Sequence, residues 1–105
     1  MEYTFPRVND GNFFEVISLN QKVLIVFSSP SCGRCIIAKQ HLKDILPNFK
    51  DMVVFECKVE DAPNTVEKYK VTSVPQIKLF QKGEPTYTAF GILNSQHLYY
   101  DLKMT

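Results

Sequence analysis

The run Lys22-Val-Leu-Ile-Val-Phe27 constrains this chain more than any other segment. It is short, rich in β-branched residues and apolar at every position after the lysine, so neither side of it can face water. Such a run is a strand covered on both faces, in the middle of a sheet. Ser28-Ser29-Pro30-Ser31 interrupts it, and Cys35, Ala38, Leu42, Ile45 and Leu46 then recur at three- to four-residue spacing, as the buried stripe of an amphipathic helix does. Pro47 is expected to end that helix. Cys32 therefore falls at the helix entrance.

The remaining pattern repeats the alternation. Met52 to Val59 reads as a second strand, and Pro63 to Tyr69 as a helix with proline in its first turn. Gln76 to Phe80 alternates as a strand, Gly83-Glu84-Pro85 reads as a turn, and Thr86 to Phe90 returns as its antiparallel partner. Leu98 and Leu102 mark a closing helix with Asn94 or Ser95 as N-cap, and Asn9 or Asp10 can cap an early helix carrying Phe13, Phe14, Val16 and Ile17. The expectation is an α/β fold with a mixed central sheet and helices on both faces. No repeat, low-complexity tract or linker interrupts it.

Length and charge exclude several alternatives. A chain of 105 residues suits one domain, expected to span 1–105. Twelve Lys and Arg against eleven Asp and Glu leave a net charge of +1, too little to gather a phosphate backbone or an anionic membrane surface. No run approaches membrane-spanning length, and the first residues lack the pattern of a secretory signal, so a soluble, cytoplasmic monomer is expected.

Cys32-Gly33-Arg34-Cys35 is the motif that carries chemistry. At a helix N-terminus, unpaired N–H groups and the positive end of the dipole favour a Cys32 thiolate, and Arg34 adds a cation beside it. Three residues on, Cys35 lies on the same side one turn later and can attack a mixed disulfide formed by Cys32. A purely structural crosslink is the bland alternative, but closing so small a loop removes little entropy from the unfolded chain. A zinc site would need two further ligands; His41 is turned away round the helix and Cys57 sits on another strand. No metal is expected. Cys57 alternates with Phe55 and Val59 and reads as a core thiol, whereas His41 and His97 read as surface helix residues.

The strand Val23 to Phe27 running into Cys32-Gly33-Arg34-Cys35, Ser73-Val74-Pro75 ahead of a further strand, and Phe80-Gln81-Lys82-Gly83-Glu84 with Gly91 beyond it together resemble the thioredoxin family over nearly the whole chain. The resemblance implies a thioredoxin fold with about five strands, the first three parallel and the last two an antiparallel hairpin, flanked by about four helices. It implies dithiol–disulfide exchange on protein disulfides, Cys32 attacking and Cys35 resolving, with no bound cofactor and with electrons from an NADPH-dependent thioredoxin reductase. It further implies a cis Val74–Pro75 bond, a Val74 backbone offered to substrate as an added strand, and a flat approach at Gly91.

Four departures from the family pattern bear on function. Ser31 and Arg34 stand where general thioredoxins carry Trp and Pro, and Arg34 is expected to stabilise the reduced form and make the couple less reducing. Val26 replaces a buried Asp, and Glu56 replaces a Lys on the next strand. Glu56 is therefore the candidate for the missing acid, a raised carboxyl titrating between about pH 6 and 9 that takes the Cys35 proton; the alternative is that it bends to solvent. Two other readings stay open: an exchanger serving one client, and a binding module whose dithiol is incidental.

Overall fold

The computed structural model describes residues 5–91 and 94–105. Its elements run β1 (Arg7–Val8), α1 (Phe13–Leu19), β2 (Lys22–Ser28), α2 (Gly33–Ile45), β3 (Met52–Lys58), α3 (Pro63–Lys68), β4 (Gln76–Gln81), β5 (Glu84–Phe90) and α4 (Ser95–Met104). Single 3-10 turns follow α2 at Leu46–Asn48 and β3 at Val59–Asp61.

The five strands lie in the order β1-β3-β2-β4-β5. β1 and β2 each pair parallel with β3, and β4 pairs antiparallel with both β2 and β5. The apolar run thus occupies the centre of the sheet, as its lack of alternation requires. Leu24 and Val26 point into one core with Leu42 and Ile45 of α2 and Leu98 and Leu102 of α4. Val23, Ile25 and Phe27 point into the other, with Phe13 and Ile17 of α1 and Val66 of α3. All five of these β2 side chains have no exposed surface.

The strand period also sorts β3, where Met52 and Val54 join the α2 core while Phe55 and Cys57 join the opposite one. Glu56 follows Val54 by two positions and so projects under α2.

Several local expectations are corrected. Neither Asn9 nor Asp10 caps α1, whose N-cap is Asn12; the Asn12 side chain accepts from the Asn9 amide at 2.8 Å instead of capping the helix. Asp10 instead caps α3 across the fold, accepting from the Asn64 and Thr65 amides at 3.0 and 2.9 Å and from the Thr65 hydroxyl at 2.7 Å. A capping carboxylate needs only reach the free amides, from whichever segment brings it there. Glu84 and Pro85 belong to β5 rather than to a turn. The hairpin turn is Lys82-Gly83, both with positive φ, which matches the strand twist in two residues. Pro85 is tolerated because β5 is an edge strand. α2 does end ahead of Pro47 as expected, at Ile45, and the chain then tightens into the 3-10 turn Leu46–Asn48 that contains the proline. Asn94 is the N-cap of α4, its side chain accepting from the His97 amide at 2.7 Å.

Candidate functional site

The dithiol sits where β2 leaves the sheet. Ser31 takes a left-handed backbone, φ 59°, and turns the chain so that Cys32 becomes the N-cap of α2. Cys32 Sγ accepts from the Cys35 amide at 3.2 Å, so the sulfur occupies the place of a capping oxygen. The two cysteines form a disulfide with their Cα atoms 5.3 Å apart. They differ in access: Cys32 is half-buried, and Cys35 is buried beneath it. Gly33 and Arg34, in the first turn of α2, are exposed.

The expected substrate-facing residues gather at the same end of the sheet. Register pairs Phe27 with Gln76, which brings the preceding Val74 and Pro75 beside the end of β2. The Val74–Pro75 bond is cis, with Pro75 buried and Val74 half-buried. The Gly91 amide donates to the Pro75 carbonyl at 3.0 Å. Gly91 has φ 73°, and a Cβ there would meet nothing within 4 Å, so its backbone borders open space.

Glu56 is buried under α2, not bent to solvent. One of its oxygens, Oε2, accepts from the Ser28 hydroxyl at 2.6 Å and the Lys39 ammonium at 3.0 Å, and the Lys58 ammonium stands at ion-pair distance, 3.6 Å. Burial pushes this carboxyl up, but the Ser28 hydrogen bond, the Lys39 hydrogen bond and charge, and the Lys58 charge outweigh it and hold the group below its ordinary value. This corrects the expectation of a raised carboxyl titrating near neutrality: Glu56 stays an anion in an ion pair. Lys39, Lys58 and Ser28 were missed in the sequence. The available signal was a lysine within the apolar stripe of α2, four residues from Cys35, together with the shared facing of positions 54, 56 and 58.

A recess of ≈ 120 Å³ opens beside the dithiol, lined by Ser28, Ser31, Cys32, Cys35, Lys39 and Lys58 among others. A larger one of ≈ 150 Å³ lies against Asp10, Phe13, Phe14, Thr65, Lys68 and Tyr69, and shares no lining residue with the dithiol recess.

Cys57 has no exposed surface, and burial, joined by the charges of Asp10, Asp61 and Glu56, pushes its thiol up to about 12. It should resist a thiol reagent in the reduced native protein and react only on unfolding; labelling of all three cysteines at equal rates in native buffer would contradict this. His41 is not a plain surface residue, since it is half-buried and its Nδ1 lies 2.8 Å from Ser95 Oγ on α4. His97 is exposed, with Nε2 3.7 Å from Asp101. Among the described residues no group of three or more His, Cys, Asp or Glu could hold a metal ion, and no helix is long and apolar enough to cross a membrane.

The family model for thioredoxin matches residues 4–104. The chain is 31% identical over 88 residues to the chloroplastic M-type thioredoxin of Brassica napus, an alignment covering 82% of this chain and 50% of that protein. This chain thus spans half the length of that relative. It is 30% identical over 87 residues to the thioredoxin of Pyropia yezoensis, covering 81% of each. Among solved structures, mitochondrial thioredoxin 3 of Saccharomyces cerevisiae in its oxidized form superposes with a TM-score of 0.84 at 24% identity, covering 96% of this chain and 95% of that one. The two share a fold.

Proposed function

The chain belongs to the thioredoxin family, and on that footing we propose that it is a thiol–disulfide oxidoreductase that reduces protein disulfides through Cys32 and Cys35. The observation that carries this reading is the unequal access of the two sulfurs at one helix N-terminus: a half-buried Cys32 at the N-cap and a buried Cys35 one turn behind it.

In the reduced protein the Cys32 thiolate attacks one sulfur of a substrate disulfide, whose other sulfur leaves as a thiolate and takes up a proton. Cys35 then loses its proton and attacks Cys32 Sγ. The bond between Cys32 and substrate breaks, and the Cys32–Cys35 disulfide forms. The half-exposed cysteine suits the intermolecular step and the buried one the intramolecular step. Substrate backbone would pair as an added strand with Val74, held by Pro75, and pass over the open surface at Gly91. Electrons would come from an NADPH-dependent thioredoxin reductase.

The test is turnover of a generic disulfide-containing protein, with dithiothreitol and then a thioredoxin reductase plus NADPH as donor. Acceleration above the donor alone is expected in the first case; its absence in both would overturn the reading.

Arg34 is exposed beside the thiolate position, and its charge favours the reduced form. The couple is therefore proposed to be less reducing than one with proline there. Equilibration of the wild type and Arg34→Pro against a glutathione series should give the variant the lower potential, and an equal or higher potential in the variant would refute the assignment.

A further inference from the structure

Two ammonium groups converge on a single carboxylate oxygen next to the dithiol. Lys39 and Lys58 both approach Glu56 Oε2, which also receives the Ser28 hydroxyl. One positive charge is left unmatched. The pair is secluded, with side-chain exposure of 9% for Lys39 and 2% for Glu56, so water does not screen that surplus as it would on the surface.

The surplus faces the sulfurs. Lys39 lies four residues beyond Cys35 on α2, on the same face, and both lysines line the recess together with Cys32 and Cys35. From α2 the other charge nearby is the exposed Arg34, also positive. From β2 the group presented is the neutral Ser28. From β3 come Glu56 and Lys58. Residues 73–75, beside the end of β2, carry no ionisable side chain. Asp10 and Asp61 act on Cys57, which points to the other face of β3.

We propose that Lys39 and Lys58 are positioning residues for the resolving step, their unmatched charge stabilising the Cys35 thiolate, while Glu56 serves to hold them rather than to take the proton. The inference rests on the dithiol-exchange reading and deepens it. When the mixed disulfide forms, the Cys35 proton passes to water entering the recess. The thiolate left behind supplies the missing counter-charge, attacks Cys32 Sγ, and the substrate sulfur departs as a thiolate that is then protonated. The same charge also faces Cys32 across the recess, so it favours the Cys32 thiolate of the reduced protein over the uncharged disulfide.

A surplus cation predicts opposite shifts of the Cys35 midpoint on removing a lysine and on removing the Glu56 charge. The measurement is the pH titration of thiolate absorbance in reduced protein carrying Cys32→Ser, which leaves Cys35 as the one thiol ionising below the Cys57 range and keeps an oxygen at the N-cap. Lys58→Met should raise the Cys35 titration midpoint by about one unit, Lys39→Met by at least as much, and Lys39→Arg should restore it. Glu56→Gln should lower it. In the wild-type cysteine background, Lys58→Met should shift the equilibrium with glutathione toward the disulfide.

Lys58 is partly exposed, so its variant decides the matter where Lys39→Met fails to fold. An unchanged Cys35 midpoint in Lys58→Met, or a raised one in Glu56→Gln, would overturn the proposal. The titration needs no turnover. Loss of the exchange reading would appear in the reduction assay instead, leaving the two failures distinguishable.

Discussion

Cys35→Ser is expected to trap the protein on its substrate, as a mixed disulfide through Cys32, and to cut multiple-turnover reduction by at least about 10²–10³-fold. The magnitude follows from replacing an attack inside one helical turn by an attack from a millimolar external thiol, when well-placed intramolecular nucleophiles reach effective molarities of about 10⁵ M or more. Cys32→Ser should abolish the same turnover without accumulating an adduct, because Cys35 is 2% exposed and cannot reach an incoming disulfide. Non-reducing electrophoresis of the two variants after exposure to a disulfide protein separates the roles. Adduct on Cys32→Ser and none on Cys35→Ser would reverse the assignment of attacking and resolving thiols.

Glu56→Ala is expected to cost about 3–5 kcal/mol, the range for removing one member of a buried ion pair and leaving its partner's charge stranded. Here the variant strands Lys39 and deprives Lys58 of its neighbour. Replacing the pair together, Lys39→Met with Glu56→Leu, should recover most of the loss, because no isolated charge then remains in the core. Urea unfolding measures both. A loss below about 1 kcal/mol for Glu56→Ala would show the cluster to be as weak as a surface pair.

The pH dependence has a determinate sign at each end. The folded-state values of Glu56 and Asp10 are lowered, so both contribute stability that is fully present above their unfolded values and is lost as pH falls through the folded ones. Glu56 should govern the acid edge because its partners are buried. At the alkaline end Cys57, raised from 9.0 to about 12, and Tyr87, also raised, release protons from the unfolded chain first. Stability therefore falls as pH rises above 9.0.

Much of the site was legible because its logic is local. Cys32 and Cys35 lie in one turn, and the strand before them announces itself by being apolar on both faces. Pro75 and Gly91 were legible only through family resemblance, since nothing in their immediate neighbours distinguishes them from ordinary turn residues. Asp10 misled for the opposite reason. It stands just ahead of α1 in sequence, yet its carboxylate serves α3, 54 and 55 residues away. The short strand β1 gave no periodic signal, since two residues complete no alternation.

The order of apolar and polar residues along the chain by itself determined the buried central strand, the dithiol at a helix entrance and the pairing of the last two strands, because each depends on neighbours a few positions apart. Only the tertiary structure decided the charge state beneath the dithiol. Glu56, Lys39, Lys58 and Ser28 come from three separate elements, and whether a buried carboxyl is raised as an acid or held as an anion depends on how many donors reach it. That count is a property of packing, and here two hydrogen-bond donors and a second ammonium meet one oxygen.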